Sequence, residues 1–189
     1  MLLHAYLLSN QIDKAFELAK KGESLGWSSS SNPQAFFIAY FLVLSTKKPL
    51  DKLPIVLRKF WGYALNISLG FMGDYEGNMH ELFRKVERIH QKIFLVACSY
   101  DDQIIKWCFT EAEKRVMAIV DGKYRKAYER AALLTVACSE TLGLIDAALA
   151  TEFFNKIKNR FPRYSAFQSA LKQAIQTKQG VFDEQSNRY

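Results

Sequence analysis

Residues 101–142, DDQIIKWCFTEAEKRVMAIVDGKYRKAYERAALLTVACSETL, carry the pattern that decides the fold. In the first half, Ile104, Ile105, Cys108, Ala112, Val116 and Ile119 recur mostly at three- and four-residue steps, which returns each side chain to one face of a helix. Asp101 or Asp102 suits the N-terminus of that helix, because a carboxylate there accepts from the first N–H groups and opposes the helix dipole. Asp121 and Gly122 then interrupt the pattern. It resumes over 124–142 with Ala127, Tyr128, Ala131, Leu134, Thr135, Cys138 and Leu142 on one stripe, and Gly143 supplies the stop. Two apolar stripes joined by so short a corner are buried most simply by folding the helices back on one another.

The same grammar extends outward in both directions. Over 78–97 the apolar positions Met79, Leu82, Phe83, Val86, Ile89, Ile93, Phe94 and Ala97 oppose Arg84, Lys85, Arg88 and Lys92, which predicts one amphipathic helix. Towards the C-terminus a helix is expected over 146–160, with Phe153, Phe154 and Ile157 inward, and Pro162 ends it before a last helix over 164–177. Towards the N-terminus, helices are expected before Asn10, over 13–21, over 34–44 after an Asn32–Pro33 start, and from Pro54 to Tyr63 and on towards Leu69. A polar connection spans 28–32, Pro49 breaks the chain, and Gly70 and Gly73 mark an exit. No segment alternates apolar and polar residues for long enough to predict a strand. The fold class is therefore all-α, with antiparallel helix pairs stacked as an irregular α-α superhelix or a helical bundle. Residues 1–178 form one domain, and 179–189, poor in apolar residues, are expected to be a flexible tail.

Composition sets the outer bounds. The 189 residues suffice for a single substantial core, and a 49% hydrophobic share with nine Gly and four Pro belongs to a packing chain. The net charge of +7 biases the surface towards anionic partners. Cys98, Cys108 and Cys138 form no CxxC pair and are odd in number, which favours reduced core thiols in a cytoplasmic protein. The first residues lack the basic and apolar regions of a signal peptide. The longest apolar run, 35–44, is about half of the ~20 residues that span a bilayer, so no membrane association is expected. Phe36, Phe37, Tyr40 and Phe41 surround that helix on several sides, as burial between neighbouring helices requires.

Three corners share one local pattern: a turn residue, then a large apolar residue two positions on, then a short or small one three further. They are Asn10, Ile12 and Ala15; Gly73, Tyr75 and Asn78; and Gly122, Tyr124 and Ala127. Gly or Asn closes one helix in the left-handed conformation, the apolar residue plugs the corner, and the small one lets the next helix approach. With Ala5, Tyr6, Phe16 and Ala19 around the first corner, and the run Leu69, Gly70, Gly73, Asp74, Tyr75 at the second, about half the chain resembles the tetratricopeptide-like helical repeats. That resemblance implies a protein-interaction scaffold that acts through its surfaces.

Candidate chemistry is sparse. His80 and Glu81 are adjacent without an HExxH, and the ten-residue step to His90 turns the two imidazoles about 80° apart on a helix. His4 and His90 are expected to be structural, Asp101 and Asp102 to be caps, and Glu111 and Glu113 to face apart. The cysteines sit in apolar runs without a neighbouring base. Phosphate-loop, GxSxG and dinucleotide patterns are absent. The chain is accordingly expected to be no enzyme and to use no metal or other cofactor. Its expected function is a non-catalytic interaction module with a protein partner.

The alternative is nucleic-acid binding without sequence specificity. Arg84, Lys85, Arg88 and Lys92 share one face; Lys123, Arg125, Lys126 and Arg130 open another helix; Lys156, Lys158, Arg160 and Arg163 crowd near Tyr164. Glu81, Glu87, Glu129 and Glu152 intersperse them, as they would on an ordinary solvated face. The apolar opening helix, through Leu2, Leu3, Tyr6 and Leu7, is expected to contact a partner chain or a second copy in a homo-oligomer.

Overall fold

The computed structural model describes residues 2–22, 33–68, 88, 91 and 102–186. Among them are eight α-helices and no strand: α1 Leu2–Leu8, α2 Ile12–Lys21, α3 Pro33–Ser45, α4 Ile55–Ser68, α5 Asp102–Asp121, α6 Tyr128–Gly143, α7 Ala147–Arg160 and α8 Ser165–Ser186, with 3-10 turns at Leu50–Lys52 and Arg125–Ala127. The expected 28–32 connection, the second corner at Gly73 and the 78–97 helix lie outside the described residues, apart from helical Arg88 and Gln91.

The architecture is an all-α bundle, and α6 is its shared wall. Helices α3, α4, α5, α7 and α8 all pack against it. Its sequence explains why: YERAALLTVACSETLG is rich in Ala, Thr, Ser and Cys, which let neighbouring backbones approach from every side. Ala131, Ala132, Thr135, Ala137, Cys138 and Thr141 have essentially no exposure. The sequence pattern shows one stripe on this helix, but burial runs all round it. The two buried threonines donate to carbonyls of their own helix, Thr135 to Ala131 at 2.8 Å and Thr141 to Ala137 at 3.0 Å, so neither hydroxyl is stranded.

A second all-round apolar helix, α3, closes the other half. Every residue from Phe36 to Leu44 is buried. Phe37 stacks on Phe16 of α2 at 5.6 Å and meets Trp107 of α5 edge-on at 5.8 Å, while Phe36 lies 5.4 Å from Trp61 of α4. Each such ring contributes roughly 1.5–3 kcal/mol by burial. The aromatic abundance is therefore core, as its spacing suggests.

Two corners show how helices reverse. Asn10 adopts φ 59°, Gln11 N–H donates to Tyr6 O at 2.8 Å and Asn10 N–H to Leu7 O at 3.2 Å, so α1 closes as a Schellman cap with Asn in the left-handed position. Ala15 behind it is fully buried against the core. The corner after α5 closes the same way, with Tyr124 N–H donating to Ile119 O, but the left-handed residue is Lys123 at φ 57° and not Gly122. Gly122 is needed for closeness: a Cβ there would meet the Tyr124 ring and lie 2.7 Å from the Ala118 carbonyl. Tyr124 covers that glycine from outside and stays 41% exposed, so it does not plug the corner as expected; Ala127, buried, does admit the next helix.

The remaining ends follow local chemistry. Asp146 caps α7 by accepting from Ala148 N–H at 2.7 Å and Leu149 N–H at 3.4 Å. At its other end, Gln168 Nε2 donates to the carbonyls of Lys158 and Phe161, each at 2.9 Å. Helix α8 runs to Ser186, beyond the expected end near 177. No proline interrupts that segment, and a lone Gly180 costs about 1 kcal/mol without forbidding helix.

Candidate functional site: a cleft at one end of α6

Between the 48–58 segment and the C-terminal half of α6 lies an open cleft of about 810 Å³. Its first wall is built by a polar, proline-punctuated stretch. Pro49 holds an extended backbone, the turn Leu50–Lys52 follows, and Leu50 and Leu53 anchor the stretch in the core. Anchoring those leucines leaves Lys48, Asp51 and Lys52 to face the cleft, and Arg58, one turn into α4, joins them. The second wall is Ser139, Glu140, Gly143 and Leu144 of α6 and its end, and the third is Ala147, Ala150, Thr151 and Phe154 of α7, one face at helical spacing.

Glu140 locks the walls together. This carboxylate is 8% exposed, and its Oε2 accepts from the backbone N–H of Leu57 at 2.8 Å, 83 residues away. Leu57 stands in the first turn of α4, where N–H groups have no partner within their own helix, and a carboxylate also favours the positive end of the dipole. The one charged residue in the C-terminal half of this helix thus caps a distant element, α4. Ser139 adds a hydroxyl bond to Ala150 O at 3.2 Å, holding α7 in place.

The corner from α6 to α7 turns tightly, with Ile145 and Asp146 N–H groups both donating to Leu142 O at 2.8 and 2.7 Å. Three large apolar side chains are left outside at this corner: Leu144 at 41%, Ile145 at 55% and Leu149 at 47% exposure. Leu144 borders the cleft itself. No sequence motif marks this site. Its available signals are Glu140 inside a helix of small and apolar residues and the large apolar Leu144 and Ile145 directly after the Gly143 stop.

The other chemistry-bearing groups are placed as follows. Cys108 and Cys138 are buried free thiols; burial first, then Cys138 and Glu111, push the Cys108 thiol well above its usual range, and burial does the same to Cys138. Such thiols stay protonated and inert. Glu111 is buried and pairs with Lys114 at 2.7 Å, whereas Glu113 reaches across to Lys156 at 2.7 Å. Among the described residues no group of three or more His, Cys, Asp and Glu could hold a metal ion, and no helix is long and apolar enough to cross a membrane. Cys98, His80, His90 and Asp101 lie outside the described residues, as do the side chains of His4 and Asp102.

Of the basic residues singled out by sequence, Arg84, Lys85 and Lys92 lie outside the described residues, and Arg88 is exposed on a helix. The other two clusters come together. Arg160 Nη2 lies 3.5 Å from Asp121 Oδ2, which brings the end of α7 to the corner holding Lys123, Arg125 and Lys126. Tyr128 packs edge-on against Phe167 at 5.8 Å, and Phe161 against Tyr164 at 5.5 Å, fixing Arg163 at the same end. Lys123, Arg125 and Lys126 are exposed, and Arg130 is half-buried. Burial chiefly, and then the nearby Arg130, lower the Arg115 guanidinium to about 10.

On α1 the apolar residues divide. Leu3 and Leu7 are buried in the chain's own core and Tyr6 packs against it, so they do not face a partner; Leu2 at 55% and Leu8 at 49% form the outward surface. No protein-family model, curated protein or solved structure matches the chain.

Proposed function

We propose that this chain is a protein-interaction module, in keeping with its resemblance to tetratricopeptide-like scaffolds, and that its partner docks in the cleft at the C-terminal end of α6. The observation that carries this reading is the exposed corner of Leu144, Ile145 and Leu149 beside a cleft whose charged rim holds Lys48, Lys52 and Arg58 with Asp51. Clustered apolar exposure next to a groove is costly in water and is relieved by a partner. Three cations against the one rim carboxylate, Asp51, favour a segment that combines apolar side chains with carboxylates. Glu140, bonded to Leu57 N–H, is committed to holding the groove open and in shape. The site acts by contact, with no chemistry of its own.

Photo-crosslinking tests this reading. A photoreactive amino acid at Leu144, introduced in cells, should trap one defined protein adduct, and Lys52→Glu should abolish it. Adducts identical to those from the exposed control position Glu17 on α2 would defeat the proposal. Self-association is the second contact expected, through Leu2 and Leu8. Light scattering should show concentration-dependent mass that Leu2→Ser with Leu8→Ser removes, and a monodisperse monomer at all concentrations would contradict it.

A further inference from the structure

At the opposite end of α6 from the cleft, we infer that the Asp121 corner binds double-stranded nucleic acid through its phosphate backbone alone. The Arg160–Asp121 contact, at 3.5 Å, brings the corner between α5 and α6 against the corner between α7 and α8. Lys123, Arg125 and Lys126 belong to the first corner, and Lys158 and Arg163 to the second. All of these cations are exposed and make no ion pair among the described residues. The carboxylates of the two stretches are Asp121, which Arg160 engages, and Glu129.

This grouping works against local stability. Arg125 and Lys126 lead directly into α6 and Arg163 into α8, so their charges stand against the positive ends of two helix dipoles. In its first turn α8 has no acidic residue to offset Arg163, and α6 has only Glu129. An anion seated across the two corners relieves both mismatches, because it meets helix N-termini and cations together.

The rest of the surface selects the kind of anion. Protein interfaces have an apolar core, and lasting membrane contact needs an apolar or acyl anchor besides cations. Among the described residues the exposed large aliphatic side chains, Leu2, Leu8, Leu144, Ile145 and Leu149, lie on α1 and at the corner between α6 and α7. Cations without aliphatic neighbours suit nucleic acid, whose interfaces are more polar and more positively charged. Affinity built from phosphate contacts follows the charge density of the ligand, and a duplex releases about 0.9 counterions per contact against about 0.7 for a single strand. Sequence preference is not expected, because phosphate contacts read no base edges.

Fluorescence polarisation of the full chain with a labelled short DNA duplex tests the inference. Five phosphate contacts at about 0.9 each give a log–log salt slope of about −4.5, so affinity should fall roughly 500-fold between about 50 and 200 mM salt. A single strand of the same length should bind more weakly, with a slope of about −3.5. Lys126→Gln with Arg163→Gln should flatten the duplex slope to about −2.7 with the helical circular dichroism unchanged. Lys59→Gln with Lys106→Gln, exposed lysines on α4 and at the far end of α5, should leave the slope as it is. Should the corner variant lose helicity, Lys123→Gln with Lys158→Gln carries the same slope test. Absence of binding at the lowest salt, equal or tighter binding of the single strand, or a wild-type slope in the folded corner variants would overturn the inference. So would equal affinity for phosphatidylserine vesicles or for polyglutamate. None of these outcomes bears on crosslinking from Leu144 in the cleft.

Discussion

Replacing Glu140 should do more damage than any other single polar substitution in the bundle. The carboxylate is buried and accepts from Leu57 N–H at 2.8 Å. A hydrogen bond to a charged group contributes about 1.5–3 kcal/mol, and its loss leaves a helix-start N–H without its acceptor. Glu140→Ala should therefore cost roughly 2–4 kcal/mol, including the buried methylenes that vanish with it. In a chain of this size about 1 kcal/mol corresponds to 2–4 °C, so the midpoint should drop by about 10 °C. Glu140→Gln keeps an oxygen at the same place but loses the charge, and should cost about half as much. Urea unfolding followed by far-ultraviolet circular dichroism measures both, with the slope of the transition unchanged and only its midpoint moved. If Glu140→Ala stays within about 0.5 kcal/mol of the parent, or if Gln is no better than Ala, the carboxylate does not hold α4 and the cleft wall is fixed by something else.

Three further outcomes follow from other parts of the bundle. Lys123→Gly should stabilise by about 0.5–1 kcal/mol, because Lys123 sits at φ 57°, whereas Gly122→Ala should destabilise through the collision with the Tyr124 ring and the Ala118 carbonyl; thermal melts of the pair compare them directly. Ala132→Leu should cost at least about 1–3 kcal/mol, since Ala132 is fully buried on a helix packed on every side, and an unchanged melting temperature would show room that the packing denies. Burial raises both the Cys108 and Cys138 thiols above the usual 9.0, so they bind protons in the folded state that the unfolded chain releases. Stability from these groups is complete below about pH 9 and falls above it by about 1.4 kcal/mol per pH unit for each thiol. Melts between pH 8 and 10.5 should show the fall, and Cys108→Ala with Cys138→Ala should flatten it; equal slopes in parent and variant would contradict the assigned burial.

Helix positions were largely legible in the sequence, because each stripe is a local pattern that a 3.6-residue period exposes. On the α5 stripe Ile104, Cys108, Ala112, Val116 and Ile119 are buried as their spacing requires, with Ile105 half-buried at its edge, and Asn10 occupies the left-handed position that its corner demands. Partner choice among helices was not legible. The small residues of α6 look like an ordinary amphipathic face, and only the assembled neighbours show that Ala132, Val136 and Ala137 are buried too. The cleft is illegible for the same reason: its walls come from 48–58 and 136–154, and Glu140 ties them together by accepting from Leu57 N–H. Glycine adopts the left-handed conformation at least cost, which favours Gly122 for that role, yet Lys123 holds it, and Gly122 serves where the Tyr124 ring and the Ala118 carbonyl leave no room for a side chain. Each basic cluster is legible along the chain, but their convergence depends on Arg160 reaching Asp121.

Native-state hydrogen exchange tests most directly whether α6 organises the molecule, since both the cleft and the basic corner are fixed by its two ends. The amides of residues 132–142 should exchange only through global unfolding, with protection matching the free energy from urea titration, while those of α1 exchange through local fraying. Exchange across α6 as fast as in α1 would mean that the bundle is not built around this helix, and that neither surface is held in the arrangement from which its ligand was inferred.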